Sequence, residues 1–136
     1  MIRRESEALD LLADHLGDSF TAAVTTILGA QGRVIVCGMG KSGHIAKQIA
    51  ATSASTRPPA QFVHPGEASH GDLGMVTTGD VALVLSHSGE TPELADIIAH
   101  TRRFDIPLIG VAGRAGSTLL RQSDVAILLP PAQEAC

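Results

Sequence analysis

Five stretches of the chain are almost entirely apolar and lack the alternating polar positions of a strand with one exposed face. They cover residues 34–38, 61–65, 81–86, 107–113 and 125–130. Segments with apolar residues at helical spacing separate them, one through Ile45 and Ile49, one over 92–104 and one over 117–123. Strands that alternate with helices in this way form parallel sheets covered on both faces. The pattern therefore predicts an α/β fold with a doubly wound sheet of five parallel strands.

The first 30 residues carry apolar side chains at helical spacing and predict an amphipathic helix, or a pair of helices, over residues 5–30. The apolar positions are Leu9, Leu12, Leu16, Phe20, Val24, Ile27 and Leu28. We predict that residues 1–30 are a helical segment of the same domain as residues 31–136. This segment has more apolar surface than a short domain needs for its own core. Self-association as a homodimer or homotetramer is therefore expected.

The composition excludes several classes of function. The chain has 136 residues, the size of one domain, and 44% of them are apolar, which suffices for a single core. It contains three Phe and neither Trp nor Tyr, and its net charge is −4. Nucleic-acid surfaces need stacking aromatic side chains and a basic stripe, so no nucleic-acid partner is predicted. A site for an anion must be local, built from a few side chains and backbone dipoles.

The N-terminus and the two cysteines indicate the compartment. The opening residues, MIRRESEALDLL, are charged and lack the apolar centre of a signal peptide. No apolar run approaches the roughly 20 residues that span a bilayer, so no membrane partner is predicted. Cys37 and Cys136 lie far apart and belong to no metal-ligand spacing, and Cys37 falls in an apolar strand as an inert core residue. A reducing, cytoplasmic location is predicted.

Parallel sheets bind ligands beyond the carboxyl ends of their strands, so the loops after the strands hold the candidate chemistry. The first such loop is GMGKSGH, residues 38–44. Its glycines let a ligand approach the backbone, and the helix behind it points free N–H groups toward an anion. Glycines at 38, 40 and 43 also fit the GxGxxG pattern, but the next long strand ends without an acidic residue to hold a ribose. Nucleotide binding is therefore the weaker interpretation.

The second loop, SHSGETPE at residues 86–93, follows the third strand and is rich in hydroxyl groups. Thr91 is placed as the N-cap of the next helix, with Pro92 at the first helical position. Capping explains these two residues but not Ser86 and Ser88 at the exit of the strand. Three hydroxyls beside a helix N-terminus can hold a phosphate without basic side chains. We therefore predict that Ser86, Ser88 and Thr91 bind a phosphate group.

Together the two motifs resemble those of the sugar isomerase (SIS) domain, a phosphosugar-binding α/β module with a flavodoxin-like sheet. The segment FVHPGEASHGDLGMV, residues 62–76, and the final QEAC are more particular. They are similar to the D-arabinose-5-phosphate isomerase family, which interconverts ribulose 5-phosphate and arabinose 5-phosphate on the route to Kdo, a lipopolysaccharide sugar. The resemblance runs from about residue 30 to the end of the chain.

The resemblance implies a role for each residue on which a family motif falls. The phosphate would be held by Ser42, Ser86, Ser88 and Thr91. The catalytic residues would be Lys41, His70, Glu93 and Glu134. The residues of the loops that contact the substrate would be Gly40, His64, Gly66, His87 and Gly89. No cofactor is implied.

Isomerisation between an aldose and a ketose explains why these residue types occur. One base must move a proton between C1 and C2 through a cis-enediol, and we assign this role to Glu134. Lys41 or His70 would polarise the carbonyl oxygen, where negative charge develops. Glu93 would hold a sugar hydroxyl or orient Lys41. Apart from the resemblance, Lys41 is equally a solvated charge, and Glu93 a first-turn acid that stabilises the helix dipole.

Three alternatives remain open at this point. Four histidines on loops at the same sheet edge, His44, His64, His70 and His87, could gather round a divalent metal, but none of them shows i, i+4 ligand spacing and no metal is predicted. The chain could also be a non-catalytic phosphosugar-sensing module. It could be another SIS phosphosugar isomerase, although Lys41 together with HPGEASHGDLGM favours the arabinose-5-phosphate type.

The members of this family continue beyond the EAC motif with a turn rich in Pro, Ser and Thr, a final helix and often a pair of CBS domains. The resemblance therefore implies that this chain corresponds to part of such a protein. We expect it to bind phosphosugar and to be weakly active or inactive alone.

Overall fold

The predicted strands form one parallel sheet in the computed structural model of the chain, which describes residues 1–134. They are β1 (Val34–Gly38), β2 (Ala60–Phe62), β3 (Val81–Leu85), β4 (Leu108–Ala112) and β5 (Val125–Leu128). Their order across the sheet is β2-β1-β3-β4-β5, which is the flavodoxin-like order. The predicted fold class is confirmed, and the strands lie within the predicted stretches except that β2 begins at Ala60 and ends at Phe62.

The helices within residues 1–134 lie where the apolar spacing predicts them, except in the segment between β2 and β3 and at the beginning of the helix after β3. They are α1 (Ile2–His15), α2 (Asp18–Leu28), α3 (Gly40–Ser53), α4 (Pro65–Ala68), α5 (Ala95–Arg103) and α6 (Thr118–Gln122), with 3-10 helices at Asp72–Met75 and Pro92–Leu94. The N-terminal segment is a pair of helices, one of the two predicted alternatives, because Leu16 has extended and Gly17 has non-helical backbone dihedrals. The polar, glycine-rich segment between β2 and β3 contains α4 and a 3-10 helix, and the helix predicted over 92–104 begins with a 3-10 turn. None of these helices is long and apolar enough to span a membrane.

One face of the sheet forms the main core with α5, α6 and the segment between β2 and β3. Neighbouring residues of a strand point to opposite faces, so alternate residues of β1, β3 and β4 share this face. The buried side chains include Ile35, Cys37, Ala82, Val84, Leu94, Ile97, Leu108 and Leu119. This core is aliphatic, in agreement with the scarcity of aromatic residues in the sequence.

The opposite face of the sheet is covered by α2 and α3 and is less completely buried. Ala46 and Ala50 of α3 cluster with Val34 and Val36 of β1, and Ala23 is the buried residue of α2. Helix α1 contributes no buried residue. Apolar side chains of the three helices remain exposed at Leu9, Leu16, Phe20, Val24, Leu28 and Ile45.

A buried carboxylate joins the beginnings of β1 and β3. Asp80 is only 3% exposed and accepts hydrogen bonds from the backbone N–H of Arg33 (2.7 Å) and of Thr77 (2.9 Å). The Arg33 guanidinium forms a salt bridge with Asp80 (3.4 Å) and donates to the Gln61 side chain and to the Met75 carbonyl. Burial alone would raise the pKa of Asp80, but the hydrogen bonds and the Arg33 charge together lower it. The carboxylate is therefore ionised and structural.

Cys37 lies in the middle of the sheet and is fully buried. Burial raises the pKa of its thiol to about 12, although a backbone hydrogen bond at Gly38 opposes this shift. The thiol is therefore protonated at neutral pH and unreactive, and its predicted core position is confirmed. Cys136 lies outside the described residues.

Candidate functional site

The sheet order reverses between β1 and β3, which makes this position the switch point of the fold. The two strands pair in parallel register from Val34↔Val81 to Gly38↔Leu85, so they end at the same level. Helix α3 starts directly after β1, and the Ser86–Thr91 loop follows β3. Doubly wound proteins bind ligands in the crevice between two such segments. The two sequence motifs therefore meet where a ligand is expected.

The first motif is more helical than predicted. Helix α3 begins at Gly40, whose φ of +56° suits glycine, so Lys41 and Ser42 lie in the first helical turn and not in a loop. No side chain caps this end of the helix, and its first N–H groups are free to bind an anion. Lys41 is exposed and Ser42 is half-buried.

Two glycines bring the start of α3 into direct contact with the end of β1. A Cβ atom on Gly43 would lie 2.7 Å from the carbonyl oxygen of Gly38, and one on Gly38 would lie 2.9 Å from the carbonyl oxygen of Ser42. Both obstructing atoms belong to the backbone, so a side chain at either position would force α3 away from the sheet. The glycines at 38 and 43 therefore serve close packing of the backbone, which places Ser42 at the crevice.

The hydroxyl groups of the second motif are already ordered around each other. Ser86 is buried, and its Oγ lies 2.8 Å from Oγ1 of Thr91 and accepts a hydrogen bond from the N–H of Gly89 at 3.0 Å. Ser88 is exposed and accepts from the N–H of Glu90 at 3.1 Å. Thr91 occupies the predicted N-cap position, but its side chain bonds to Ser86 and not to the helix. Thr91 thus orders the loop that carries the serines.

Three of the predicted site residues line one cavity of about 470 Å³, which we call the sheet-face cavity. They are Ser42, Ser86 and His87, and they form its polar end. The remaining lining residues are apolar side chains of α1, α2, α3 and the sheet, including Leu12, Phe20, Ile45, Leu85 and Val111. Residues from the two motifs, which are far apart in the sequence, thus share one cavity.

The sequence from the end of α2 onward matches a known family, since the family model of the SIS domain covers residues 27–136. The chain belongs to the SIS domain family. A solved structure of c3406 from Escherichia coli CFT073, in complex with arabinose 5-phosphate, is 36% identical, with a TM-score of 0.92 over 99% of this chain and 72% of that chain.

Curated relatives of this SIS domain include the arabinose 5-phosphate isomerases KdsD of Escherichia coli O157:H7 and of Pseudomonas aeruginosa, each 48% identical over 132 residues. The alignments cover 97% of this chain and 40% of each relative. The chain therefore spans less than half the length of the curated relatives that it matches.

The other predicted site residues of the SIS domain lie on segments that follow the strands but do not line the sheet-face cavity. Lys41, His70, Glu93 and Glu134 are all exposed. Glu134 lies in an irregular segment beyond the end of β5, and Glu93 lies in the 3-10 turn before α5. Their proposed roles in catalysis remain predictions.

The histidines of the SIS domain differ in their surroundings. His44 lies within α3, so its predicted position on a loop is wrong. His64 is the N-cap of α4, and its Nδ1 accepts a hydrogen bond from the N–H of Gly66 at 3.1 Å. His87 lies against Gly113, whose N–H donates to the His87 carbonyl at 2.9 Å. Within residues 1–134, no three His, Cys, Asp or Glu side chains cluster as metal ligands.

The sequence does not indicate the contacts between the second motif and the beginning of α6. Glu90 and Thr118 are joined by two hydrogen bonds, and Gly89 packs against Ser117. The pair Ser117–Thr118 before a short apolar run is a helix-start signal, which identifies the element but not its partner. That Glu90 is the partner of Thr118 depends on how two segments that are distant in the sequence pack together.

Proposed function

We propose that this chain is the isomerase domain of an arabinose 5-phosphate isomerase, which interconverts D-arabinose 5-phosphate and D-ribulose 5-phosphate. One observation carries the proposal: Ser42 and Ser86, from the two segments that flank the switch point, line the same cavity. The likeness to the KdsD enzymes and to a structure in complex with arabinose 5-phosphate supports this choice of substrate. Its product would supply the synthesis of Kdo in the cytoplasm.

The phosphate would be bound by hydroxyl groups and by the helix dipole of α3. Ser42, Ser86, Ser88 and Thr91 offer hydroxyl donors, and the uncapped N–H groups of α3 point to the same crevice. Exchange of the Ser86–Thr91 hydrogen bond for bonds to phosphate is favourable, because bonds to an ionised acceptor are stronger than those between neutral groups. Gly40, Gly66, Gly89, His64 and His87 would border the sugar.

The chemical step would be a proton transfer through a cis-enediol. Glu134 removes the proton from C2 of the open-chain aldose as the carbonyl oxygen O1 is protonated, which gives the enediol. It then delivers a proton to C1 of the enediol as the O2 hydroxyl loses its proton, which gives the ketose. The negative charge that develops on the carbonyl oxygen is stabilised by Lys41 or His70. Glu93 holds a sugar hydroxyl or orients Lys41.

Incubation with arabinose 5-phosphate or ribulose 5-phosphate in deuterated water tests this function. An enediol intermediate exchanges its proton with solvent, so we expect deuterium at C1 or C2 and chemical-shift changes of the Ser86–Thr91 amides. Both are followed by NMR. Binding without deuterium incorporation would indicate a part of the enzyme that binds phosphosugar but is inactive alone, or a non-catalytic phosphosugar-binding domain. The absence of both signals would contradict the proposal.

We also propose that the domain, residues 1–30 included, associates as a homodimer or homotetramer through its N-terminal helices. Helix α1 has no buried residue, and Leu9, Phe20 and Leu28 are 65%, 45% and 69% exposed. Apolar surface of this extent marks an interaction site.

The replacement Phe20→Ser is expected to shift the protein from an oligomer to the 14.0 kDa chain, because it removes apolar area from the proposed interface. Sedimentation velocity measures the change. Phe104→Ser is the matched control, since Phe104 is also 45% exposed but lies at the end of α5. A wild-type chain that sediments as a monomer, or an equal effect of both replacements, would rule the interface out.

A further inference from the structure

Glu90 binds both of its carboxylate oxygens to a single residue of a neighbouring segment. Its Oε1 accepts from the backbone N–H of Thr118 and its Oε2 from the Thr118 hydroxyl, each at 2.7 Å. The Thr118 side chain and then its N–H lower the pKa of Glu90, and Arg114 and Arg121 contribute further. An exposed glutamate is thereby fixed at the start of α6.

Three further contacts attach the same loop to the segment from Gly113 to the first turn of α6. The N–H of Leu119 donates to the Gly89 carbonyl at 3.0 Å, and the N–H of Gly113 donates to the His87 carbonyl at 2.9 Å. A Cβ on Gly89, where φ is +67°, would lie 2.1 Å from the Ser117 hydroxyl, which is buried without a hydrogen-bond partner among the described residues. The loop therefore rests directly on this segment.

We infer that Glu90 is a positioning residue that fixes the Ser86–Thr91 loop on α6 and so sets the spacing of its phosphate-binding hydroxyls. The inference rests on the proposed function. Glu90 lies between Ser88 and Thr91, so a shift of its backbone moves both hydroxyls. Its carboxylate would repel a phosphate, but it is bound to Thr118 and lies among the charges of Arg114 and Arg121. Glu90 thus acts on the ligand only through the loop.

Titration with arabinose 5-phosphate and with inorganic phosphate, followed by NMR, tests the inference. Glu90→Ala is expected to weaken the binding of both ligands by about tenfold. The variant loses the hydrogen bonds between the Glu90 carboxylate and Thr118, so the loop and its hydroxyl groups shift. The ratio between the affinities for arabinose 5-phosphate and inorganic phosphate should stay constant, because the loop would contact the phosphate group that both ligands contain. Glu90→Gln retains an acceptor for the Thr118 N–H and should restore affinity to within about threefold of wild type. The amide protons of Gly89 and Leu119 should exchange faster in Glu90→Ala.

Asp96→Ala, at an exposed acid in the first turn of α5, is the matched control and should bind like wild type. A role of Glu90 in stability alone would lower the melting temperature of Glu90→Ala but leave both affinities unchanged in the folded protein, which would overturn the inference. If Glu90→Ala does not fold, Thr118→Val removes one of the two bonds and should weaken both ligands by about threefold. Unchanged affinity of that variant would equally overturn it.

The two proposals fail in different ways. A wild-type chain that binds neither arabinose 5-phosphate nor inorganic phosphate would overturn the proposed function, and the positioning role with it. A wild-type chain that binds both, with Glu90→Ala binding equally well, would overturn the positioning role alone.

Discussion

Glu134→Gln is expected to slow deuterium incorporation into arabinose 5-phosphate by about 10²–10⁴-fold, the contribution typical of a general base. The amide is nearly the same size as the carboxylate but cannot accept the C2 proton. Glu134 is exposed, so the replacement should leave the melting temperature unchanged. Initial rates measured by NMR, with thermal unfolding of the same samples, separate the chemical effect from a folding defect.

Glu5→Gln is the matched control for this experiment, because Glu5 is also an exposed glutamate but lies on α1. It should leave both the rate and the stability at their wild-type values. Substrate affinity of Glu134→Gln should also remain close to wild type, because Glu134 is not among the residues proposed to bind the phosphate. A Glu134→Gln variant that exchanges deuterium at the wild-type rate would assign the base to another carboxylate.

Asp80→Ala is expected to lower the free energy of unfolding by about 3 kcal/mol, a cost typical of removing a buried carboxylate that accepts several hydrogen bonds. The replacement leaves the N–H groups of Arg33 and Thr77 without their acceptor and removes the partner of the Arg33 guanidinium. Urea denaturation measures the loss. Asp124→Ala is the matched control, because Asp124 is exposed and accepts from one backbone N–H, that of Leu108. It should cost about 1 kcal/mol.

The acid stability of the protein should depend on the same carboxylate. Since folding lowers the pKa of Asp80 below 3.8, its stabilisation is complete above that pH and is lost as the pH falls through the lower, folded-state pKa. Asp80→Asn should therefore be less stable than wild type at neutral pH and lose less stability in acid. Equal slopes of unfolding free energy against pH for the two proteins would contradict this account.

The sheet is predictable from the sequence because its strands are buried on both faces. Every residue of β1 is buried, so the stretch reads as an uninterrupted apolar run. The break between α1 and α2 is harder to predict, because the helical spacing of apolar residues continues from α1 into α2 across Gly17. The sequence predicts a beginning of α3 that is several residues too late, because the glycines at 40 and 43 have a low helix propensity. In the folded protein, the close packing of Gly43 against Gly38 outweighs this low propensity.

The residue types of the candidate site are visible in the sequence, but their contacts are not. The hydroxyl loop stands out because helix capping does not explain the serines at the exit of a buried strand. The bonds of Asp80 to Arg33 and of Glu90 to Thr118 join residues 47 and 28 positions apart, and no local pattern indicates such pairs. The side chain of Thr91 could bond either to the helix that it precedes or to Ser86, and the sequence does not indicate which partner it has.

The contact between Gly38 and Gly43 has a consequence for ligand selectivity. At this contact the backbone of α3 lies directly against the backbone of β1, so no rotamer change there can alter the distance between the two elements. On the other side, the Ser86–Thr91 loop is held by hydrogen bonds of side chains, which can exchange partners. Under the proposed function, we therefore expect the loop to adjust to sugar phosphates of different size more readily than the contact between β1 and α3. Variation of the loop sequence would broaden or narrow the range of sugar phosphates that bind, whereas enlarging residues at the start of α3 would only exclude ligands.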